Sequence, residues 1–100
     1  MPANIWPCAF WPAPREAAVE VSGVAGPRNV LILQNRRDNA TPWESALGLR
    51  AALGARAAFV GLEAGGHYVY HRGSACVDDA FAAFLVDGVL PDDDVTCAAP

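Results

Sequence analysis

The stretch NVLILQ at residues 29–34 decides the fold expected of this 100-residue chain. A short, continuous run of aliphatic residues is typical of a β-strand that is buried on both faces, as in a parallel sheet. A second run of this kind, AAFVGL at residues 57–62, follows after a helical segment. Two such strands joined by a helix predict a βαβ unit with a right-handed crossover, and therefore an α/β fold.

The first helix is expected to begin with a capping box, in which Thr41 is the N-cap, Pro42 the first helical residue and Glu44 the acidic partner. Gly54 can end this helix in a left-handed conformation. The apolar stripe of the helix comprises Ala46, Leu49 and Leu53.

The last helix is expected to begin after Ser74, whose hydroxyl can cap it, and to end at Gly88. Its apolar stripe comprises Val77, Ala80, Phe81, Phe84 and Leu85. Residues 91–97 are predicted to form a polar tail. Two parallel strands with two helices leave open sheet edges, so this βαβα unit is predicted to be the end of a larger sheet.

The first 28 residues differ in composition from the rest. Residues 1–15 contain two of the three tryptophans together with Pro2, Pro7, Pro12 and Pro14. Because proline lacks an amide donor and fixes φ, this part is predicted to be extended coil. The chain therefore divides into an extended Pro/Trp-rich segment at residues 1–28 and an α/β domain at residues 29–100.

Composition and charge limit the classes of function. The net charge is -4 and every basic residue is an arginine, so a nucleic-acid partner is not expected. The apolar runs are too short to span a membrane, and the N-terminus lacks the charged and apolar regions of a signal peptide. The hydrophobic content of 53% exceeds the usual share, which indicates that some apolar surface faces a partner.

The cysteines Cys8, Cys76 and Cys97 leave two arrangements open. An odd number in a short chain is compatible with one bridge and one unpaired thiol. A bridge from Cys76 to Cys97 would hold the tail across the last helix and would stabilise the fold by about 3 kcal/mol. Three buried free thiols are the alternative, since free cysteine often packs as a small apolar side chain.

Two residues suited to acid–base chemistry follow the two strands. Asp38 lies past the first strand, and His67 lies past the second, after Gly65 and Gly66. Ligands of α/β sheets bind at the carboxyl ends of the strands, where a carboxylate can orient an imidazole that acts as general base. The plainer alternatives are a turn aspartate that accepts local amide hydrogens and a loop histidine without a catalytic role.

The order and spacing of these motifs resemble a known family. The motifs are CAFWP at residues 8–12, DNATP at 38–42, GGH at 65–67, FLVDGVLP at 84–91, and the late cysteines. Together they resemble the C-terminal domain of tripeptidyl aminopeptidase-like α/β-hydrolases, which are exported serine peptidases of actinobacteria. The resemblance spans most of the chain. It implies that Asp38 and His67 are the acid and base of a Ser-Asp-His triad, that Cys76 and Cys97 are bridged, and that the parent protein is extracellular.

The nucleophile of this family is not found in the chain. The family's serine lies on a G-x-S-x-G elbow, and Ser22, Ser45 and Ser74 all lie in other contexts. The resemblance implies that an upstream catalytic half supplies the serine, the oxyanion hole and the peptide site. The isolated chain is therefore expected to be inactive, and no cofactor is expected.

Two other functions stay open. One is a non-catalytic module that binds a second copy of itself or a separate catalytic half through its open sheet edge. The other is an esterase or a proline iminopeptidase, since the fold does not fix the substrate. The chain also departs from the family. Family members often have proline directly after the acid and glycine directly after the histidine, where this chain has Asn39 and Tyr68. Tyr68 adds bulk beside the proposed base.

Metal sites are not expected. His67, His71 and Cys76 have the residue types of zinc ligands, but the neighbouring glycines argue against the helix that would bring the two histidines together. Residues 92–94 are three consecutive aspartates that lack the glycine and distal glutamate of an EF-hand loop. They are predicted to be a solvated acidic tail.

Overall fold

A three-stranded parallel sheet forms the centre of the computed structural model, which describes residues 6–23 and 25–100. The strands are β1 (Val30–Arg37), β2 (Ala57–Gly65) and β3 (Val95–Cys97), and they lie in that order with all neighbours parallel. The helices are α1 (Trp6–Ala9), α2 (Trp43–Leu53) and α3 (Ala75–Asp87), with a 3-10 turn at Gly54–Arg56 between α2 and β2. The predicted α/β arrangement is confirmed.

The sheet is covered on both faces, with α2 on one and α3 on the other. The cluster under α2 consists of Ile32, Ala46, Leu53, Ala57 and Phe59. The cluster under α3 consists of Val60, Leu62, Val69, Val77 and Cys97. The side chains of β2 alternate between these clusters, and the strand is buried from Ala57 to Leu62. This burial explains why β2 reads as a continuous apolar run in the sequence.

The third strand was not predicted. β3 lies in the segment expected to be a polar tail, and it pairs with β2 from Val60 opposite Val95 to Leu62 opposite Cys97. The strand is short and its sequence, VTC, carries little apolar signal. Long-range contacts hold it in place, above all the bridge from Cys97 to Cys76 in α3. The sheet therefore has three strands, one more than the sequence predicts.

The N-terminal segment also differs from its prediction. Residues 6–9 form one turn of helix where extended coil was expected. A proline at the second position of a helix is tolerated, because the amide that it lacks would have no partner in the first turn. The described residues between this turn and β1 are irregular, and Phe10 and Trp11 are exposed. Pro2 lies outside the described residues.

The capping box predicted for α2 is wrong. The N-cap of α2 is Pro42, and no side chain caps the helix. The hydroxyl of Thr41 donates instead to Asp38. At the other end Gly54 has a positive φ of 53°, but its ψ of -129° lies outside the left-handed helical region.

The limits predicted for α3 are confirmed. The hydroxyl of Ser74 accepts a hydrogen bond from the amide of Val77, and Gly88 ends the helix in the left-handed conformation. The predicted stripes are only partly buried, since Leu49 of α2 and Leu85 of α3 are exposed. The core cluster under α3 contains Val77, which lies in the first turn of that helix. The C-terminal half of α3 therefore has fewer buried side chains to pack against.

Gly61 of β2 is required by the packing of α2. A Cβ at this position would clash with the ring of Trp43. The Trp43 ring in turn packs edge to face on Phe59, with centroids 5.0 Å apart.

None of the described helices is long and apolar enough to cross a membrane.

Candidate active site

The carboxylate of Asp38 lies just beyond the end of β1 and is almost entirely bonded within its own loop, residues 38–42, which we call the acid loop. Oδ1 accepts the backbone amides of Ala40 (2.8 Å) and Thr41 (3.0 Å). Oδ2 accepts the hydroxyl of Thr41 (2.9 Å). The side chain is only 2% exposed. The plainer expectation for Asp38, a turn residue that accepts local amides, therefore describes its local bonding.

These bonds favour the charged form of Asp38. The backbone amide of Thr41 is the largest cause of a pKa that lies well below the usual range of a carboxyl group. Burial acts in the opposite direction, and the amide of Ala40, His67 and the Thr41 hydroxyl lower the pKa further. Asp38 is therefore ionised at neutral pH and can accept a further hydrogen bond as a full negative charge.

His67 provides that further hydrogen bond. Its Nδ1 lies 2.9 Å from Oδ2 of Asp38, and 3.4 Å from the hydroxyl oxygen of Thr41. Because the carboxylate can only accept, Nδ1 carries the hydrogen and Nε2 of the neutral ring carries the lone pair. The imidazole is 49% exposed, and no residue within the described ranges hydrogen-bonds Nε2. The ring is thus held at one nitrogen and accessible at the other.

The arrangement has the chemical features of a general base with an orienting carboxylate. A proton taken up at Nε2 would place a positive charge on the ring, directly beside the ionised Asp38. The structure brings together the two residues singled out from the sequence, 29 positions apart in the chain. Their catalytic role stays a prediction.

The loop that carries His67, residues 66–73, is held by contacts from distant parts of the chain; we call it the histidine loop. Asn35, buried near the end of β1, donates from Nδ2 to the carbonyl oxygens of Gly66 (2.7 Å) and Tyr68 (2.9 Å). The amide of Gly66 donates to the carbonyl of Arg37 (3.3 Å). Gly66 has a φ of 98°, which L side chains rarely adopt, so glycine is required at this turn.

A second buried amide supports the acid loop. Gln34 precedes Asn35 in β1 and points to the opposite face of the sheet. Its Nε2 donates to the carbonyl of Thr41 (2.8 Å) and to that of Asn35 (3.1 Å). The sequence did not identify Gln34 and Asn35 as site residues. The available signal was two consecutive amides that end an otherwise aliphatic strand.

The predicted bridge between Cys76 and Cys97 is present, with the two Cα atoms 5.9 Å apart. It joins the first turn of α3 to β3, and α3 begins directly after the histidine loop. Cys8 is a free, exposed thiol. The alternative of three buried free thiols is therefore wrong.

The weaker candidates from the sequence do not assemble. Within residues 6–23 and 25–100, no three His, Cys, Asp or Glu side chains are arranged to hold a metal ion. His71 instead approaches Asp78, with Nδ1 3.6 Å from Oδ2. The sulfur of Cys76 is in the disulfide with Cys97.

Residues 92–94 are exposed, as expected of a solvated acidic tail, but Asp94 is in addition bonded to the rest of the fold. Its Oδ1 accepts a hydrogen bond from Nε of Arg50 and another from the backbone amide of Phe59, each at 2.9 Å. These bonds attach the segment before β3 to α2 and β2. The contact joins residues far apart in the chain, and a contact of this kind leaves no local pattern in a sequence.

A parallel sheet with a helix on each face, an acid after one strand and a histidine after the next, defines the arrangement of the C-terminal part of an α/β-hydrolase. The sequence matches the family described as TAP-like protein over residues 1–97, and the chain belongs to this family. The resemblance seen in the motifs is thereby confirmed. The match includes the N-terminal segment as well as the α/β unit.

Several curated proteins are similar over nearly the whole chain. A tripeptidyl aminopeptidase of Streptomyces lividans is 35% identical over 99 residues, which cover 96% of this chain and 18% of that protein. Carboxylesterase B of Mycobacterium tuberculosis is 32% identical over 91 residues, covering 91% and 17%. Serine protease Hip1 of the same organism is 26% identical over 95 residues, covering 95% and 18%. The chain therefore spans about a fifth of the length of these relatives.

Proposed function

We propose that this chain is the acid-and-base portion of a serine hydrolase of the peptidase type. Asp38 would orient His67, and His67 would be the general base for a serine that belongs to another segment. The observation that carries the proposal is the hydrogen bond from Nδ1 of His67 to the buried Asp38 carboxylate, with Nε2 left accessible.

In the proposed reaction, Nε2 of His67 takes the proton of the serine hydroxyl as the serine oxygen attacks the substrate carbonyl. The imidazolium that forms is stabilised by Asp38, which stays ionised. His67 then gives the proton to the leaving group, so that an acyl-enzyme forms and the imidazole returns to its neutral state. Water attacks the acyl-enzyme through the same base in the second half of the reaction.

The isolated chain should have no hydrolase activity. A general base without a nucleophile and without donors for the developing oxyanion cannot form the acyl-enzyme. No G-x-S-x-G segment occurs in the sequence, and the matched region covers only 18% of the Streptomyces relative. The serine and the oxyanion hole are therefore assigned to a separate catalytic half.

The free edge of β1 is the proposed junction with that half. β1 is eight residues long and lies at the edge of the sheet, paired with β2 on one side only among the described strands. A long unpaired edge is a template for a further strand, and an α/β-hydrolase sheet continues beyond the strand that carries the acid. Association of two copies through this edge is the alternative. Size-exclusion chromatography coupled to light scattering distinguishes these two alternatives, because self-association would raise the measured mass as the protein concentration rises.

The proposed substrate class is peptides, with esters as the second candidate. Relatives of similar identity include a protein named tripeptidyl aminopeptidase and another named carboxylesterase B. Both reactions use the same acyl-transfer chemistry at a serine. An extracellular parent protein is also proposed, because the bridge between Cys76 and Cys97 is compatible with an oxidising compartment.

A segment exchange tests the proposal. This chain would replace the matching 99 residues of the Streptomyces lividans tripeptidyl aminopeptidase, and hydrolysis of tripeptidyl arylamides and short aryl esters would be measured. The chimera should be active on the peptide substrate. His67→Ala should lower kcat on the order of 10⁶-fold, and Asp38→Asn about 10⁴-fold.

The matched control is His71→Ala, since His71 is the other histidine and is exposed on the same loop. This variant should keep the activity of the chimera within a few-fold. A folded chimera that is inactive, or one whose activity survives His67→Ala, would contradict the proposal. Greater turnover of the ester than of the peptide would move the substrate class to esters and leave the roles of Asp38 and His67 unchanged.

A further inference from the structure

The side chain of Asn35 joins the end of β1 to the histidine loop. Its side chain is 1% exposed and lies on the α3 face of the sheet near the end of β1. Both hydrogens of Nδ2 are used, one toward the carbonyl of Gly66 and one toward the carbonyl of Tyr68. These are the two carbonyl groups that flank His67 in the chain.

The orientation of the amide follows from its surroundings. Two carbonyl oxygens within 2.9 Å require a donor between them, so Nδ2 and not Oδ1 faces the histidine loop. One rigid amide thus fixes the backbone on both sides of the Cα of His67. With the backbone fixed, the direction of the Cα–Cβ bond of His67 is fixed as well, and only the side-chain rotamer remains to be set by the bond to Asp38.

The other end of the same side chain has no partner. Oδ1 of Asn35 is buried, and within the described part of the chain no donor bonds it. A buried acceptor without a partner destabilises the folded state. An apolar side chain in this place, beside Leu62, the residue opposite in β2, would avoid that cost but would leave the carbonyls of Gly66 and Tyr68 without these donors. The two hydrogen bonds from Nδ2 to the histidine loop therefore explain why an amide side chain occupies position 35.

We propose that Asn35 is a positioning residue that holds His67 in hydrogen-bonding register with Asp38. The proposal deepens the proposed function, because register with Asp38 matters only if His67 is the base. Asn35 would touch no substrate. It would act through the backbone of the histidine loop, while Asp38 is held independently by the amides of its own loop.

The test is the tautomer of His67 in the full 100-residue chain, read by ¹⁵N nuclear magnetic resonance of the imidazole at a pH where the ring is neutral. In the unmodified chain the hydrogen should lie on Nδ1. Asn35→Leu keeps the number and branching of the side-chain heavy atoms and removes both donors. It should lower the ratio of the Nδ1–H to the Nε2–H form several-fold, because an imidazole free of Asp38 favours hydrogen on Nε2.

Two further variants keep the result interpretable. Leu53→Ala weakens the core under α2, on the other face of the sheet, and should leave the His67 tautomer unchanged despite a lower Tm. Asn35→Ser is a second removal of the bridge between the two carbonyls, for use if Asn35→Leu does not fold. Its hydroxyl can donate to one carbonyl at most.

A folded Asn35→Leu or Asn35→Ser chain that keeps the tautomer ratio of the unmodified chain would overturn the proposal, and so would an equal change in Leu53→Ala. The measurement involves no catalysis, so its failure is distinguishable from failure of the proposed function. Activity of the chimera that survives His67→Ala would reject the catalytic role of His67 while leaving the tautomer result unaffected.

Discussion

The acid loop and the histidine loop carry the two halves of the proposed site, and they are held in opposite ways. Asp38 is bonded to residues two and three positions further along the chain, so its loop is nearly self-sufficient. The histidine loop is held by Asn35, which donates to carbonyls 31 and 33 positions away. The position of the base therefore depends on tertiary structure, whereas that of the acid depends mostly on its own turn. Changes that remove the contacts of Asn35 with the histidine loop are expected to displace His67 while Asp38 stays bonded in its own loop.

The largest effect on stability is expected where α3 and β3 are joined. Replacing Cys76 and Cys97 together by serine should lower the free energy of unfolding by about 3 kcal/mol, because a loop constraint of 21 residues is lost. Urea denaturation of the oxidised chain and the variant measures this. Cys8→Ser is the control, since this thiol is free and exposed, and it should leave the midpoint unchanged. An equal loss in both variants would show that the bridge is not responsible.

The next effect is expected at the turn that opens the histidine loop. Gly66→Ala should cost about 1–3 kcal/mol, because a residue with a Cβ is strained at a φ of 98°. Apart from Gly66 and its two chain neighbours, no described residue has an atom within 4 Å of the position of that Cβ, so the cost comes from the backbone conformation. Thermal unfolding would measure it. Gly48→Ala, at an uncrowded position within α2, should be neutral or stabilising, and a similar loss at both sites would contradict this account.

The acid loop should show its own dependence on pH. The pKa of Asp38 is depressed in the folded state, so the stability that it contributes is complete above the unfolded value of about 3.9. That contribution is lost as the pH falls below this value toward the folded pKa. The difference in unfolding free energy between the unmodified chain and Asp38→Asn should therefore shrink as the pH falls from about 5 to about 2. A difference that stays constant over this range would contradict the bonding described for Asp38.

The smallest effect on stability is expected for Tyr68, directly after the proposed base. Its ring is 76% exposed, and its carbonyl, not its side chain, is the group held by Asn35. Tyr68→Ala should change the unfolding free energy by no more than about 0.5 kcal/mol. Thermal unfolding would measure this, with Tyr68→Phe as a control that keeps the ring. A loss well above that limit in Tyr68→Ala would show that the exposed ring packs in the histidine loop.

The same contrast explains how much could be predicted from the sequence. The two long strands, β1 and β2, and the placement of Asp38 and His67 follow from apolar runs and from motif spacing, which are local signals. As a helix cap, the hydroxyl of Thr41 would accept an amide of the first turn, but in the structure this hydroxyl donates to Asp38 and no side chain caps α2. The roles of Asn35 and Asp94 arise from contacts over 31 to 44 positions, for which a single sequence carries no pattern.

Whether Asp38 already holds His67 in this chain is tested most directly by ¹⁵N resonance of the His67 imidazole, in the unmodified chain and in Asp38→Asn, near pH 8. In the unmodified chain the neutral ring should carry its hydrogen on Nδ1, leaving Nε2 free to take a proton. In Asp38→Asn the Nδ1–H form should lose its dominance, because the carboxylate that selects it is gone. An unmodified chain with the hydrogen mainly on Nε2, or with a tautomer ratio indifferent to Asp38→Asn, would contradict the account of this site.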